Sequence, residues 1–156
     1  MNGLSNTTFA PGNNITRAMF VTVLYRIEKE PSSAENTFED IESGSYYEKA
    51  VGWANVNGII NGVSDTAFAP NANITREQIA AIMFRYAKYK GTAPTGAWAI
   101  RLDYADTEDI SDWAAEAVMF CKLKGIMQGK DGNLFAPKAN ATRAETAAIL
   151  ERYLQN

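Results

Sequence analysis

Three Thr-Arg pairs are the residues of this sequence whose types and spacing best suit a binding site. They are Thr16-Arg17, Thr75-Arg76 and Thr142-Arg143. Each Thr precedes apolar residues at helical spacing, so its hydroxyl is expected to cap a helix N-terminus. Each Arg then stands where the helix macrodipole is positive, which disfavours a cation by about 0.3–1 kcal/mol. Such an Arg needs a partner, and two remain open: a carboxylate of a neighbouring unit, or an anionic ligand held together with free N–H groups.

The second and third pairs carry an additional capping residue. Gln78 and Glu145 stand three positions after their Thr, which is the spacing of a capping box, in which the longer side chain bonds back to the N-cap N–H. Met19 takes that place after the first pair. Its side chain has no polar group for this bond, so only the Thr hydroxyl is expected to cap the first of the three helices.

Three further residues are candidates for a ligand site. Asp40 and Asp106 occupy matching places before a predicted helix, where capping that helix is favoured over bonding a ligand hydroxyl. Trp113 starts a predicted helix, and a core or rim position is favoured over a role as a carbohydrate platform. An aromatic face beside an Arg is nevertheless what a site for a sugar acid would use, so Trp113 stays a candidate.

Composition excludes many classes of function. The sequence has no His and a single Cys121, which excludes a disulfide framework, a zinc cluster and a Ser-His-Asp triad. A net charge of -3 without a run of Lys or Arg gives no footprint for nucleic acid. Apolar runs are too short for membrane insertion. We therefore predict no catalytic residue, no metal ligand and no cofactor, and expect that the chain is not an enzyme.

An internal repeat organises the chain. A Phe-Ala-Pro precedes each Thr-Arg pair, and the Thr positions are 59 and 67 residues apart (75 − 16 and 142 − 75). A second shared block, which contains Tyr46 and Trp113 at matching places, precedes the second and third copies only. We divide the chain into the second half of repeat 1 (1–30), repeat 2 (37–90), a linker or insertion (91–103) and repeat 3 (104–156).

The first repeat lacks its first half. Residues 1–3 align with 60–62, so the chain begins in mid-repeat, which predicts a fragment or a misplaced start of a longer chain. The first helix of repeat 1 is therefore expected to be missing. Two ways of covering the exposed apolar stripe are open: a neighbouring chain that donates a helix, or dimerisation in a homo-oligomer.

Each complete repeat is predicted to be a helix, a loop and a second helix. The shared block has aromatic and small apolar residues on one helical face, and Gly58 or Gly125 then supplies the left-handed residue that ends the helix. A second amphipathic helix starts at each Thr-Arg pair. One such unit cannot bury its apolar stripe alone, so we predict an all-α protein whose repeats pack around a shared axis.

The combination of these motifs resembles the S-layer homology (SLH) repeat. It has the Phe-x-Asp start, the Gly-Ile-x-x-Gly helix end, Phe-x-Pro, and Ile-Thr-Arg followed by an acid or amide. The resemblance implies a three-pronged, pseudo-threefold helical bundle. It also implies an extracellular module that anchors a bacterial S-layer protein or exoenzyme to the cell wall. The ligand implied is an anionic, pyruvylated secondary cell wall polymer.

The Thr-Arg-Ala-Glu groove motif of that family maps unevenly onto this chain. It is unchanged at 142–145, altered in its last two residues at 75–78, and has Met19 in place of the acid at 16–19. The resemblance thus implies binding mainly through the second and third copies, with the first copy least supported. The residues expected near the ligand are Arg76, Arg143, Thr75, Thr142, Asp40, Asp106, Trp113 and Glu145, followed by Arg17 and Thr16. The alternative is a structural module whose Arg residues only join one repeat to the next.

Overall fold

Helices form the whole regular structure of the described part of the chain. The computed structural model describes residues 8–156, within which β-structure is limited to isolated bridges. The elements in order are α1 (Arg17–Ile27), α2 (Glu48–Val56), α3 (Arg76–Tyr89), a 3-10 turn (Thr107–Asp109), α4 (Asp112–Leu123) and α5 (Arg143–Leu154). The predicted all-α class is confirmed. The predicted alignment of residues 1–3 with 60–62 lies outside the described residues.

The second helices begin as their caps predict. Thr16, Thr75 and Thr142 are the N-cap residues of α1, α3 and α5, and each hydroxyl accepts the N–H of the third residue after it. In α3 and α5 the residue at that position also bonds back to the N-cap N–H, so both capping boxes are confirmed. The position held by Met19 makes no such return bond, as its side chain dictates.

Glycines end the first helices in the predicted way. Gly58 and Gly125 follow α2 and α4 with φ of 65° and 64°, a left-handed conformation that a residue with a Cβ adopts only at a cost. The N–H groups of Ile59 and Ile126 then bond to carbonyls in the last helical turn at 2.8 and 2.9 Å. Both isoleucines are completely buried, so each helix end is closed by hydrogen bonds and by an apolar contact.

The second helix of repeat 1 and the second helix of repeat 2 are each covered by the first helix of the following repeat. Helix α1 packs against α2, and α3 packs against α4. Helix α5 has no comparable helix partner among the described residues. Its Ala144 and Leu154 are exposed, whereas Glu77 and Ala87 at the matching positions of α3 are buried. Among the described residues 8–156, no helix therefore covers the face of α5 that would receive a first helix.

A closed cycle of backbone hydrogen bonds joins the three repeats. The N–H of Ile15 donates to Ala141 O at 3.1 Å, that of Ala141 to Ile74 O at 3.0 Å, and that of Ile74 to Ile15 O at 3.0 Å. All three side chains are fully buried. Each repeat therefore contacts both others at one shared place, although the three-pronged pseudo-threefold shape as a whole stays a prediction.

The segment between α3 and the 3-10 turn crosses the surface without a helix and is held by side chains. The ring of Trp98 meets that of Phe84 edge-on at 5.9 Å, and Lys122 pairs with Asp103. In this way the segment shields part of α3 and reaches α4. None of the described helices has the length and apolarity to cross a bilayer.

Candidate functional site

The three arginines of the Thr-Arg pairs are buried and contact the next repeat. Only 3–5% of their surface is exposed. Each Nε donates to the carbonyl of the Phe in a Phe-Ala-Pro turn, and each guanidinium lies over the ring of that same Phe. The Nε–O distances are 2.8 Å for Arg17 and Phe68, 2.7 Å for Arg76 and Phe135, and 2.8 Å for Arg143 and Phe9. We call this paired contact the arginine clamp.

A second backbone carbonyl completes the clamps of Arg17 and Arg76. Nη2 of Arg17 donates to Asn61 O at 3.0 Å, and Nη2 of Arg76 donates to Gln128 O at 2.7 Å. The predicted partner of these arginines in a structural role was a carboxylate. For Arg17 that prediction is wrong, because its bonds go to carbonyls and no carboxylate among residues 8–156 lies within ion-pair distance of it.

A cleft opens beside Arg17. The cavity has a volume of about 420 Å³, and its polar and aromatic lining consists of Arg17, Asn61, Gln78, Arg85 and Trp113. Helix α3 contributes Gln78 from its first turn and Arg85 from its third, so both point to the same face. We call this cavity the Arg17 cleft.

Positive charge dominates the Arg17 cleft. Burial lowers the pKa of Arg17, the carboxylate of Asp40 opposes that shift, and the charge of Arg85 adds to it. Burial also lowers the pKa of Arg85. Arginine side chains stay protonated in proteins, so two cations face the cavity. No Asp or Glu of the described chain lines it, and this arrangement suits an anion with a planar pair of oxygens.

The matching place in repeat 3 already holds an acid. Glu145, the counterpart of Gln78, lies 3.3 Å from Nη1 of Arg76 and 3.0 Å from Nζ of Lys130. Burial opposes ionisation of Glu145, but the N–H of Thr142 and the charge of Lys130 outweigh it, so its pKa lies below its ordinary value. An internal carboxylate therefore occupies the position that an anionic ligand would take in the Arg17 cleft.

Asp40 and Asp106, which were predicted to cap helices, instead support the Phe-Ala-Pro turns. Their carboxylates accept the N–H groups of Phe and Ala in the Phe-Ala-Pro turns, at 2.7–2.8 Å, and neither acid caps α2 or α4. The capping prediction is wrong. Ala69 and Ala136 in these turns have φ of 58° and 54°, a left-handed conformation that costs a non-glycine residue about 1 kcal/mol or more. The two acids hold the turns that present carbonyls to the arginine clamps.

Trp113, for which the sequence favoured a core or rim position over a carbohydrate platform, lies at the rim of the Arg17 cleft. It lines the Arg17 cleft and is 56% exposed, so its indole ring is available to a ligand. Tyr46, at the matching place in repeat 2, is also exposed and contacts Tyr47 edge-on at 5.0 Å. A core position is therefore wrong for Trp113, the predicted rim position fits its exposure, and the platform role stays a prediction.

Sequence reasoning missed Arg85 and Asn61. With the Asn61 amide oriented so that both its polar atoms are satisfied, Oδ1 accepts Nη2 of Arg85 at 3.1 Å. The same bond joins Arg152 Nη2 to Gln128 Oε1 in repeat 3 at 3.2 Å. An Arg nine residues after the Arg of the Thr-Arg pair recurs in all three second helices, and that recurrence was the available signal.

Comparison with known proteins connects this arrangement to a family. The family model described as S-layer homology domain matches residues 1–19, 37–80 and 103–147. The chain is 39% identical over 98% of its length to an amylopullulanase of Thermoanaerobacterium thermosulfurigenes, covering 8% of that protein. It is 27% identical over 99% of its length to a surface-layer 125 kDa protein of Lysinibacillus sphaericus, covering 13% of it. It is 26% identical over 99% of its length to a cellulosome-anchoring protein of Acetivibrio thermocellus, covering 35% of it.

Proposed function

We propose, from the premise that this chain belongs to the S-layer homology domain family and is a cell-surface anchoring module, that its Arg17 cleft binds an anionic, pyruvylated secondary cell wall polymer. The module is located at the cell surface. In this proposal the polymer's ketal carboxylate accepts hydrogen bonds in the cleft, and the bound polymer holds whatever protein carries the module to the wall. The module itself is non-catalytic.

One observation carries the choice of cleft. Arg17 and Arg85 face one cavity in which Gln78 stands where repeat 3 has Glu145, so no acid lines the cleft beside the two guanidinium groups. A carboxylate entering this cleft gains two cationic partners and displaces no acid. Entry at Arg76 would bring it close to an existing carboxylate, which costs free energy through like-charge repulsion.

The sugar part of the ligand has its own contact surface. The exposed ring of Trp113 stands at the same cleft as the two arginines. A sugar ring that lies against an indole face buries apolar C–H groups while its hydroxyls stay in water. The arginines would then select for the acid and Trp113 for the carbohydrate.

The comparisons support a role that does not depend on one activity. The chain matches parts of proteins named as an amylopullulanase, a surface-layer protein and a cellulosome-anchoring protein. It covers well under two thirds of each of them. A segment shared by proteins of such different names is best explained as an attachment module, which supports the non-catalytic proposal.

A second function is favoured by the arginine clamps themselves. Each clamp joins one repeat to the next through backbone carbonyls, as a purely structural module requires. Replacing an arginine removes the clamp and the charge together, so loss of binding in such a variant would fit both functions. The test therefore has to change the charge of the cleft without touching a clamp.

Gln78→Glu is that test. Glu in this position retains the capping box, as Glu145 does in α5, but places a carboxylate beside Arg17. We expect co-sedimentation with purified cell walls to weaken on the order of tenfold while the melting temperature stays the same. Glu145→Gln, the reverse change in repeat 3, is the matched control and should bind walls no less than the wild type. Undiminished binding by Gln78→Glu would show that the Arg17 cleft is not the site.

A second arm identifies the anion. Walls from which the pyruvate ketal has been removed should no longer retain the wild-type chain. Equal retention by treated and untreated walls would rule out the ketal carboxylate as the ligand group, and the site would then need another anion of the wall.

A further inference from the structure

We propose that Asn61 is a site of spontaneous deamidation, and that its conversion to a carboxylate inactivates the Arg17 cleft. Asn61 is followed by Gly62, and the absence of a side chain on glycine leaves its backbone nitrogen free to approach the preceding side chain. The conversion itself depends only on the local structure. Its effect on binding rests on the function proposed above.

The chemistry needs nothing beyond water. The Gly62 nitrogen attacks Cγ of Asn61 and gives its proton to solvent, the new N–C bond closes a five-membered imide, and the Cγ–Nδ2 bond breaks to release ammonia. Water then adds across one of the two imide C–N bonds. The products are aspartate, or isoaspartate in which the main chain runs through the former side chain. In both cases an amide and water have become a carboxylate and ammonium.

The surroundings of Asn61 favour the attack. Nη2 of Arg85 donates to its amide oxygen at 3.1 Å, and a cationic donor there stabilises the negative charge that this oxygen carries in the tetrahedral intermediate. The N–H of Gly62 makes no hydrogen bond within residues 8–156, so no bond must break before it reacts. Asn61 is exposed, which gives water access to the imide.

Gly62 cannot be replaced by a residue whose side chain would slow imide formation at Asn61. A Cβ at this position would come within 2.2 Å of Ser64 O and 2.5 Å of Ala67 O. Any other residue would therefore push against the backbone of the loop. Packing thus maintains the reactive Asn-Gly pair in this place.

The same chain contains a protected counterpart. Asn57 is also followed by glycine, but the N–H of Gly58 donates to Asn55 O at 3.0 Å in the helix end, and Asn57 Nδ2 donates to Trp53 O at 2.8 Å. The Gly58 bond, which Gly62 lacks, opposes imide formation, whereas the amide-nitrogen bond has a counterpart at Asn61, whose Nδ2 donates to Ile60 O at 3.0 Å. Repeat 3 has Gln128 at the place of Asn61, and its longer side chain would form a six-membered ring, which closes far more slowly.

Deamidation would act on both arginines of the cleft. The side-chain oxygen of Asn61 accepts a hydrogen bond from Arg85. Its main-chain oxygen accepts one from Arg17 at 3.0 Å. A carboxylate at this position pairs with Arg85 and supplies the negative charge that the ligand would bring. In isoaspartate the main-chain carbonyl that Arg17 uses becomes part of the free carboxylate, so the new negative charge lies on the acceptor of Arg17. The cleft would then resemble that of repeat 3, where an internal acid is present.

The modification is tested by incubating the purified chain at mildly alkaline pH and mapping its peptides by mass spectrometry. We expect aspartate and isoaspartate to accumulate at Asn61 about tenfold faster than at Asn57, the factor that one hydrogen bond on the attacking Gly58 nitrogen provides. In urea-denatured protein the two rates should become equal. Arg85→Met should slow the reaction at Asn61. Equal rates in the native protein, or an Arg85→Met rate equal to that of the wild type, would overturn the proposal.

The effect on binding is measured on the deamidated form, separated from the parent by anion exchange. Its co-sedimentation with cell walls should weaken on the order of tenfold. The Asn61→Gln variant should bind walls equally before and after the same incubation, whatever its starting affinity. Equal binding by the fresh and the deamidated wild type would refute inactivation. If the fresh chain does not bind walls at all, the proposed function fails instead, and the peptide mapping still decides whether Asn61 deamidates.

Discussion

Arg17 contacts Phe68 twice: its Nε donates to the carbonyl of Phe68 at 2.8 Å, and its guanidinium carbon lies 4.6 Å from the centroid of the same residue's ring. A cation at a helix N-terminus is disfavoured by about 0.3–1 kcal/mol, and a charge-assisted hydrogen bond is worth more than that. The double contact explains why the chain places an Arg there in every repeat.

Loss of a clamp should destabilise the whole protein. Arg76→Met leaves the carbonyls of Phe135 and Gln128 without this donor, and an unsatisfied buried acceptor costs about 1–3 kcal/mol. We expect the free energy of unfolding from urea titration to fall by about 3 kcal/mol. Arg101→Met, at an exposed arginine, is the matched control and should change it little. A loss of under about 1 kcal/mol at Arg76 would contradict the role of the clamp.

The acid that supports each Phe-Ala-Pro turn should matter for the same reason. Asp106→Asn replaces one of the two accepting oxygens with an NH₂ group that faces a backbone N–H. We expect a loss of about 1–3 kcal/mol in the free energy of unfolding, measured by thermal and urea denaturation. Asp109→Asn, an exposed acid in the adjoining 3-10 turn, serves as control. Equal stability of the two variants would show that the turn does not need Asp106.

Acid should weaken the fold in part through Glu145. Its pKa is lower in the folded protein than the ordinary 4.5, so the unfolded chain takes up the proton first as the pH falls. The stabilisation is complete above the ordinary value and is lost as the pH drops through the folded pKa. Urea midpoints measured from neutral pH down to about pH 3 should therefore decline less steeply for Glu145→Gln than for the wild type. Parallel declines would mean that Glu145 contributes nothing to the pH dependence.

Trp113 should matter for binding more than for stability. Because 56% of its surface is exposed, Trp113→Ala removes little buried area. We expect affinity for purified wall polymer to fall between about twofold and tenfold, the range of one aromatic contact, with an unchanged melting temperature. Leu123→Ala, at an exposed apolar residue of the same helix, is the control. Wild-type affinity in Trp113→Ala would remove the ring from the site.

Sequence reasoning succeeded where the determining contacts are local. The hydroxyl of Thr75 and the N–H it accepts are three residues apart, and Gly58 ends α2 through bonds within the last turn, so residue type alone predicts both. Asp40, in contrast, bonds to N–H groups 28 and 29 residues away. Nothing near Asp40 in the sequence distinguishes that partner from the start of the next helix.

The choice between clefts was also beyond the sequence. Gln78 and Glu145 are equally good capping residues, so the difference between them carries no local signal. It acquires meaning only when the fold brings each side chain next to an arginine of the preceding repeat. For that reason our proposed anion site contains the first Thr-Arg pair, which the sequence supported least.

The clamp between Arg143 and Phe9 also sets the order in which the chain can complete its folding. The two residues are 134 positions apart, and the cycle of backbone bonds through Ile15 and Ala141 spans a similar distance. Neither contact can form before α5 has emerged from the ribosome. Pairing of α1 with α2 involves neighbours in the chain and can form early, whereas closure of the cycle has to bring together distant segments at a large entropic cost. We therefore expect the last repeat to govern the rate at which the native protein appears.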